Sequence, residues 1–135
     1  MRIAYVDTSC LLAIAFDEPG ARKLSTRLAA FDRLISSNLL EAEYRSALER
    51  EGVEGGESLL SWVGWYLPDR PLSGEMQEAL GQGHLRGADL FHLGAALALR
   101  SELPDLAFLT LDDRQEAVSR GLGFPGLGDD RPSRR

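Results

Sequence analysis

Cysteine is almost missing from this chain. Cys10 stands alone, so no internal disulfide can form, and no Cys/His pair has the spacing of a zinc site. Lysine is equally scarce: Lys23 is the single one, and arginine supplies every other basic side chain. No apolar run approaches the ~18 residues that a membrane span needs. The chain enters a strand directly, without the basic-then-apolar layout of a signal peptide, so a reduced cytoplasmic setting without membrane contact is expected. Glycine is plentiful, yet neither G-x-x-x-x-G-K-[ST] nor G-x-G-x-x-G occurs, which removes the common phosphate-cradling loops. Ser9 and Cys10 have no histidine at a recognisable catalytic spacing. Positive charge is also short: the net charge of −6 argues against a simple electrostatic grip on nucleic acid. It leaves room for a nuclease, because carboxylates gathered around a divalent cation make a small domain acidic.

What the chain does have is an ordinary globular composition over 135 residues, 44% apolar and 27% charged, enough for one domain with a real core. Strand and helix patterns alternate along it. "IAYV" reads as a buried strand, "TSCLLAIAF" and "PGARKLSTRLAAF" as helices, "DRLISS" as a second strand and "NLLEAEYRSALERE" as an amphipathic helix ended by Gly52. "GGESLLSWVGWYL" has helical spacing, "RPLS" suits a short edge strand, and "SGEMQEALGQG" reads as a helix. "GADLFHLGAALALR" is apolar almost all round and should be a central helix. "DLAFLTL" is a buried strand, and "DDRQEAVSRGLGF" a capped helix running into a last short strand. The expected fold is a single α/β domain over residues 1–125 with a mostly parallel central sheet flanked by helices. Residues 126–135, poor in apolar side chains, are expected to form a loose tail.

The carboxylates carry the functional signal. Asp7 follows the first strand and precedes a helix, so it is either a helix cap or a ligand-binding acid at a strand's carboxyl end. Successive residues advance 100° around a helix, which puts Leu40, Tyr44, Ala47 and Leu48 on the inward stripe of "NLLEAEYRSALERE". Glu41 falls with Arg45 on the wet face, where the two suit an i,i+4 pair. Glu43 lies on the edge of the inward stripe, where ionisation is costly unless something positive compensates. Asp89 opens the most apolar helix, with His92 one turn on. Thr110, Asp112 and Asp113 stand at the end of the buried strand "DLAFLTL", where either acid could cap the helix that follows. Gathered at one sheet edge, Asp7, Glu43, Asp89 and Asp112 would repel one another without a cation. Oxygen-only ligation suits Mg²⁺ or Mn²⁺ rather than zinc, and such sites hydrolyse phosphodiesters.

These blocks, "VDTSCLLAI", "SNLLEAEYRSAL", "LRGADLFHLGAALALR" and "FLTLDDRQEAVSRGLGF", resemble in order and spacing the PIN-domain proteins. They are most similar to the VapC-type toxin ribonucleases of toxin–antitoxin pairs, and the similarity runs from about Ile3 to Phe124. The resemblance implies a metal-dependent endoribonuclease whose catalytic and metal-binding acids are Asp7, Glu43, Asp89 and Asp112, holding one or two Mg²⁺ (or Mn²⁺) ions. Thr8, Thr110 and Asp113 would support them, and Asp113 could share or displace the role of Asp112. Thr8 or Ser9 would then cap the first helix in place of Asp7. Gly94 replaces a commoner Ala or Ser, with little consequence expected. The implied partners are an RNA substrate, a cognate VapB-like antitoxin and a second copy of the chain. Arg45, Arg86 and Arg114 are candidates for phosphate contacts.

Rival readings are an RNA-processing nuclease of the same fold without an antitoxin, an inactive scaffold, and a receiver-type signalling domain. The last needs a lysine at a late strand end, whereas Lys23 lies on an early helix. In "SLLSWVGWYL", one helical stripe through Leu59, Trp62, Val63 and Tyr66 suffices to pack on the sheet. Leu60 and Trp65 are left over as a candidate partner surface.

Overall fold

Two buried runs set the frame. In the computed structural model, which describes residues 1–129, they are the strands β1 (Ile3–Val6) and β4 (Ala107–Leu109). Between them the chain forms helices α1 (Thr8–Ala15) and α2 (Ala21–Ala29), strand β2 (Arg33–Ser37), helix α3 (Asn38–Glu51) and a 3₁₀ segment (Gly56–Trp62). Strand β3 (Val63–Tyr66) and helices α4 (Ser73–Leu80) and α5 (Gly87–Arg100) follow, and α6 (Asp113–Gly121) comes after β4. The strands make one four-stranded sheet in the order β3-β2-β1-β4, every pair parallel. The α/β fold expected from the alternating pattern is therefore the one observed.

Strand periodicity explains why helices cover both faces. Ala4, Val6, Leu34, Val63, Ala107 and Leu109 face one core, completed by Cys10, Leu11, Leu24, Leu28, Leu40, Tyr44 and Leu48 from α1, α2 and α3. Tyr5 and Phe108, one residue out of phase, face the other core, built with Leu93, Leu97 and Leu99 of α5 and with Leu72, Leu106, Val118 and Phe124. The chain lays β2 and β3 successively to one side of β1 and then returns to place β4 on the other. That reversal makes the carboxyl ends of β1 and β4 a topological switch point, where open α/β sheets bind ligands.

Three local expectations are corrected. "GGESLLSWVGWYL" is not one helix: after the 3₁₀ segment, Val63–Tyr66 pairs with β2 from Leu34↔Val63 to Ser37↔Tyr66. Val, Trp and Tyr favour a pleated strand, and Gly64 disfavours a helix. Leu60 and Val63 are consequently buried while Trp62 is not. "RPLS" is not an edge strand, because Leu72 already caps α4. No strand follows α6 among the described residues. Phe108 N–H donates to Pro125 O at 2.8 Å, but Pro125 has no N–H with which to extend a ladder.

Gly94 is also less neutral than expected. A Cβ there would stand 2.9 Å from Met76 Cγ, so glycine is what lets α4 lie close against α5. Of the expected tail, Gly126–Asp129 folds back: Arg27 donates to Leu127 O and Arg120 pairs with Asp129 at 2.9 Å. Residues 130–135 of that tail lie outside the described residues.

Candidate active site

Asp7 sits one residue beyond β1, and its backbone N–H continues the ladder to Leu109 O at 3.1 Å. Its side chain caps α1. Oδ1 accepts from Ser9 N–H at 3.1 Å and Ser9 Oγ at 2.6 Å, and Oδ2 accepts from Thr110 Oγ1 at 2.7 Å. The cap is thus Asp7 itself and not Thr8 or Ser9. Ser9 Oγ in turn accepts from Leu111 N–H at 3.0 Å, stitching the ends of β1 and β4 together. Burial pushes the Asp7 carboxyl up to about 6; the Ser9 and Thr110 bonds oppose that shift and the charge of Asp89 adds to it.

The α3 stripe is the one the period dictates, Leu40, Tyr44, Ala47 and Leu48. Glu41 and Glu43 are equally screened from water, their side chains 30% and 31% exposed, and their partners tell them apart. Glu41 bonds outward to Arg45 at 2.8 Å and to Asn38. Glu43 Oε1 turns inward and accepts from Thr8 Oγ1 at 2.6 Å and from His92 Nε2 at 2.8 Å. Burial alone would raise the Glu43 carboxyl, but the His92 and Thr8 bonds outweigh it and hold the group below the usual carboxylate range. His92 is 1% exposed, and its Nδ1 lies 2.7 Å from the Tyr5 hydroxyl. Burial drives that phenol up to about 12, so it keeps its proton.

Asp89 lies in the first turn of α5, where the helix dipole favours an acid. Burial raises its carboxyl, the charges of Asp112 and Glu43 raise it further, and Arg86 opposes them. Asp112 caps α6, its Oδ1 accepting from Gln115 N–H at 2.8 Å. Asp89, Asp112 and Asp113 line an open cleft of about 770 Å³ together with Arg86 and Arg114. Arg45 does not line it, being tied to Glu41. The structure thus ties Asp7 to Thr110 and Glu43 to Thr8 and His92 by hydrogen bonds, and sets Asp89 beside Asp112 on the cleft wall. Among the described residues, no three His, Cys, Asp or Glu side chains gather closely enough to hold a metal ion unaided.

Sequence reasoning missed Gln115, which is fully buried. Its Nε2 donates to Asp89 O at 3.0 Å, and its Oε1 lies 3.2 Å from Thr110 Oγ1, whose proton goes to the nearer Asp7. It therefore ties together the three segments that carry Asp89, Thr110 and Asp112. It also missed the Tyr5 hydroxyl. A tyrosine in a buried strand carries no local mark of a polar partner 87 residues away.

Residues 4–121 match the PIN domain family. A relative, Ribonuclease VapC47 of Mycobacterium tuberculosis (strain CDC 1551 / Oshkosh), is 31% identical over 128 residues, covering 89% of this chain and 92% of its own. Asp7, Glu43, Asp89 and Asp112 lie within the matched segment, and the chain belongs to the PIN-domain family, in its VapC-type branch.

Proposed function

We propose that this protein is a Mg²⁺-dependent endoribonuclease, with Mn²⁺ able to substitute, and the toxin half of a toxin–antitoxin pair. The observation that carries the reading is the burial of acids from separate chain segments beside one another, with Asp7 tied to β4 through Thr110 and Glu43 turned inward to His92. The Asp89 carboxyl is raised by burial and by Asp112 and Glu43, and that of Asp7 by burial and by Asp89. Such an arrangement is costly when empty and is relieved by a cation. Its donors are all carboxylate oxygens, the set a hard divalent ion takes. Mg²⁺ keeps several waters and needs only one or two protein carboxylates, so a three-residue cage is not required. The likeness to a relative named as a ribonuclease points the same way.

One or two cations would draw their ligands, directly or through water, from Asp7, Glu43, Asp89 and Asp112, and when bound would supply Lewis-acid polarisation of a phosphodiester and hydroxide at neutral pH. The chain's own contribution is rigidity of orientation. Ser9 and Thr110 fix both oxygens of Asp7. Thr8 and His92 fix one oxygen of Glu43, and the start of α6 fixes one of Asp112. The Asp89 carboxylate accepts no hydrogen bond among the described residues and is free to adjust. Arg86 and Arg114, on the cleft walls, are placed to pair with the phosphates flanking the scissile one.

The test is direct. The purified protein should cut RNA in Mg²⁺ and stop in excess EDTA, and Asn or Gln in place of each of the four acids should abolish cutting. Metal-independent cleavage at the same rate sinks the mechanism. Co-purification from the native host should recover a small protein that blocks cleavage. Cleavage without any such partner assigns the protein to RNA processing instead.

A further inference from the structure

We propose that Tyr5 is a positioning residue whose hydroxyl clamps the His92 ring, so that Glu43 is held by one oxygen and keeps the other unbonded among the described residues. The functional consequence rests on the nuclease reading above; the clamp itself does not. The Tyr5 oxygen sits at a junction of three elements. It accepts from Ser37 N–H at 3.2 Å, lies 3.1 Å from Ser37 Oγ and 2.7 Å from His92 Nδ1. Ser37 is the residue before α3, the helix that carries Glu43, and His92 belongs to α5. One phenol therefore connects β1 to the entry of α3 and to the inward face of α5.

The hydrogen-bond order follows from donor and acceptor counting. Glu43 accepts from His92 Nε2, so that nitrogen carries a proton. The Tyr5 oxygen already accepts the Ser37 backbone proton, and its own proton has its shortest contact with Nδ1. The self-consistent arrangement runs from Tyr5 O–H to Nδ1, and from Nε2–H to Glu43 Oε1. The imidazole is thus held at both nitrogens in a buried site. Thr8 adds a second bond to the same Oε1, while Oε2 accepts no bond among the described residues. The ring of Tyr5 is stacked on Phe108 at 5.5 Å between centroids, so removal of the hydroxyl alone leaves the packing in place. Partners that orient a metal-binding side chain from behind in this way typically change affinity or activity about 10–100-fold when removed.

The experiment is nitrogen-15 NMR of the imidazoles in the metal-free protein, wild type against Tyr5→Phe. The exposed His84 serves as internal reference. In the wild type, His92 should show a protonated Nε2, a hydrogen-bonded unprotonated Nδ1, and an Nε2 proton that exchanges slowly. In Tyr5→Phe the Nδ1 resonance should move to its unbonded position and the Nε2 proton should exchange at least about tenfold faster. A proton on Nδ1 in the wild type overturns the proposal, and that result needs no variant to fold. An Nε2 proton whose exchange is unchanged in Tyr5→Phe also overturns it. Mg²⁺ affinity, measured calorimetrically, supplies the functional arm. Tyr5→Phe should weaken it about tenfold in the wild-type background and leave it unchanged in a His92→Phe background, where the clamp has nothing to act through. Equal effects in both backgrounds would make Tyr5 a purely structural residue. A wild type that neither binds Mg²⁺ nor cuts RNA defeats the nuclease reading, and the His92 spectrum still decides the clamp.

Discussion

At the scale of single residues, Asp7 both caps a helix and bears a charge that the empty site disfavours. Its carboxyl is raised from 3.8 to about 6, so the folded protein binds that proton more tightly than the unfolded chain does. The sign follows: this contribution to stability is fully present below about pH 3.8 and is lost as pH rises through about 6. Asp7→Asn keeps an acceptor for Ser9 and supplies an amide that can donate to Thr110, whose proton then turns to Gln115. In EDTA at pH 8 this variant should be more stable than wild type by up to about 3 kcal/mol, and its stability should change less between pH 4 and 7. Urea melts across that range check it, and a wild type no less stable than the variant at pH 8 removes the buried-charge argument. The two glutamates of α3 give a paired test. Glu43→Gln should abolish RNA cleavage, because the acid that His92 and Thr8 hold inward is gone. Glu41→Gln loses only its outward bonds to Arg45 and Asn38, so activity and melting temperature should stay near wild type. Reversed effects would mean that the wrong carboxylate had been placed in the site.

At the scale of elements, the same contrast shows what a local pattern can reveal. The 3.6-residue period separates Glu43 from Glu41 because α3 has a single buried stripe, and partners across that stripe follow from it. The period misleads over Leu59, Trp62, Val63 and Tyr66, whose spacing suits a helix although the backbone there is a 3₁₀ turn followed by β3. A short apolar run satisfies both templates, and what decides between them is pairing with β2, a contact no local window contains. Gln115 escaped for a related reason: a polar side chain in the first turn of a charged helix looks solvated until β4 and α5 close over it. Its bonds make it the joint between these elements, so Gln115→Met, close in shape but without polar atoms, tests the joint. It should cost about 1–3 kcal/mol of stability, since the Asp89 backbone carbonyl loses the Gln115 donor in a part-buried site. It should also reduce the stabilisation that Mg²⁺ confers on the folded protein, read as the shift in melting temperature between EDTA and saturating Mg²⁺. A variant equally stable and equally responsive to Mg²⁺ would show that α5 and β4 hold their spacing without it.

At the scale of the whole molecule, the two halves of the sheet divide the work. The acids and arginines lie at the β1/β4 end, while the opposite edge strand, β3, carries apolar side chains in water. Trp65 is 38% exposed and Leu67 is 67% exposed, with Trp62 at 41% just before the strand. The expected leftover pair is thus half right, since Leu60 is buried and Trp65 is not. Sheet register measures the distance between this patch and the acids. Trp65 pairs with Ser36 and Tyr5 with Ile35, so Trp65 stands level with Val6, one residue before Asp7. It is two strand spacings away, about 10 Å. A partner segment anchored on Trp65 needs about three extended residues to reach the level of Asp7, and about four or five to bring an arginine or lysine to Asp112 beyond β4. There it would compete with metal, in a molecule whose net charge of −6 already favours a basic partner. For the antitoxin proposed above, the apolar anchor would supply affinity and the basic residue inhibition. Trp65→Ala should therefore weaken the complex by at least ~1 kcal/mol, as expected for a large aromatic anchor, while the free protein cuts RNA at the wild-type rate. Titration calorimetry against the purified partner measures the first, and a cleavage assay without it the second. Unchanged affinity would take the β3 edge out of the interface. Weakened affinity together with lost cleavage would place Trp65 in the support of the acidic site instead.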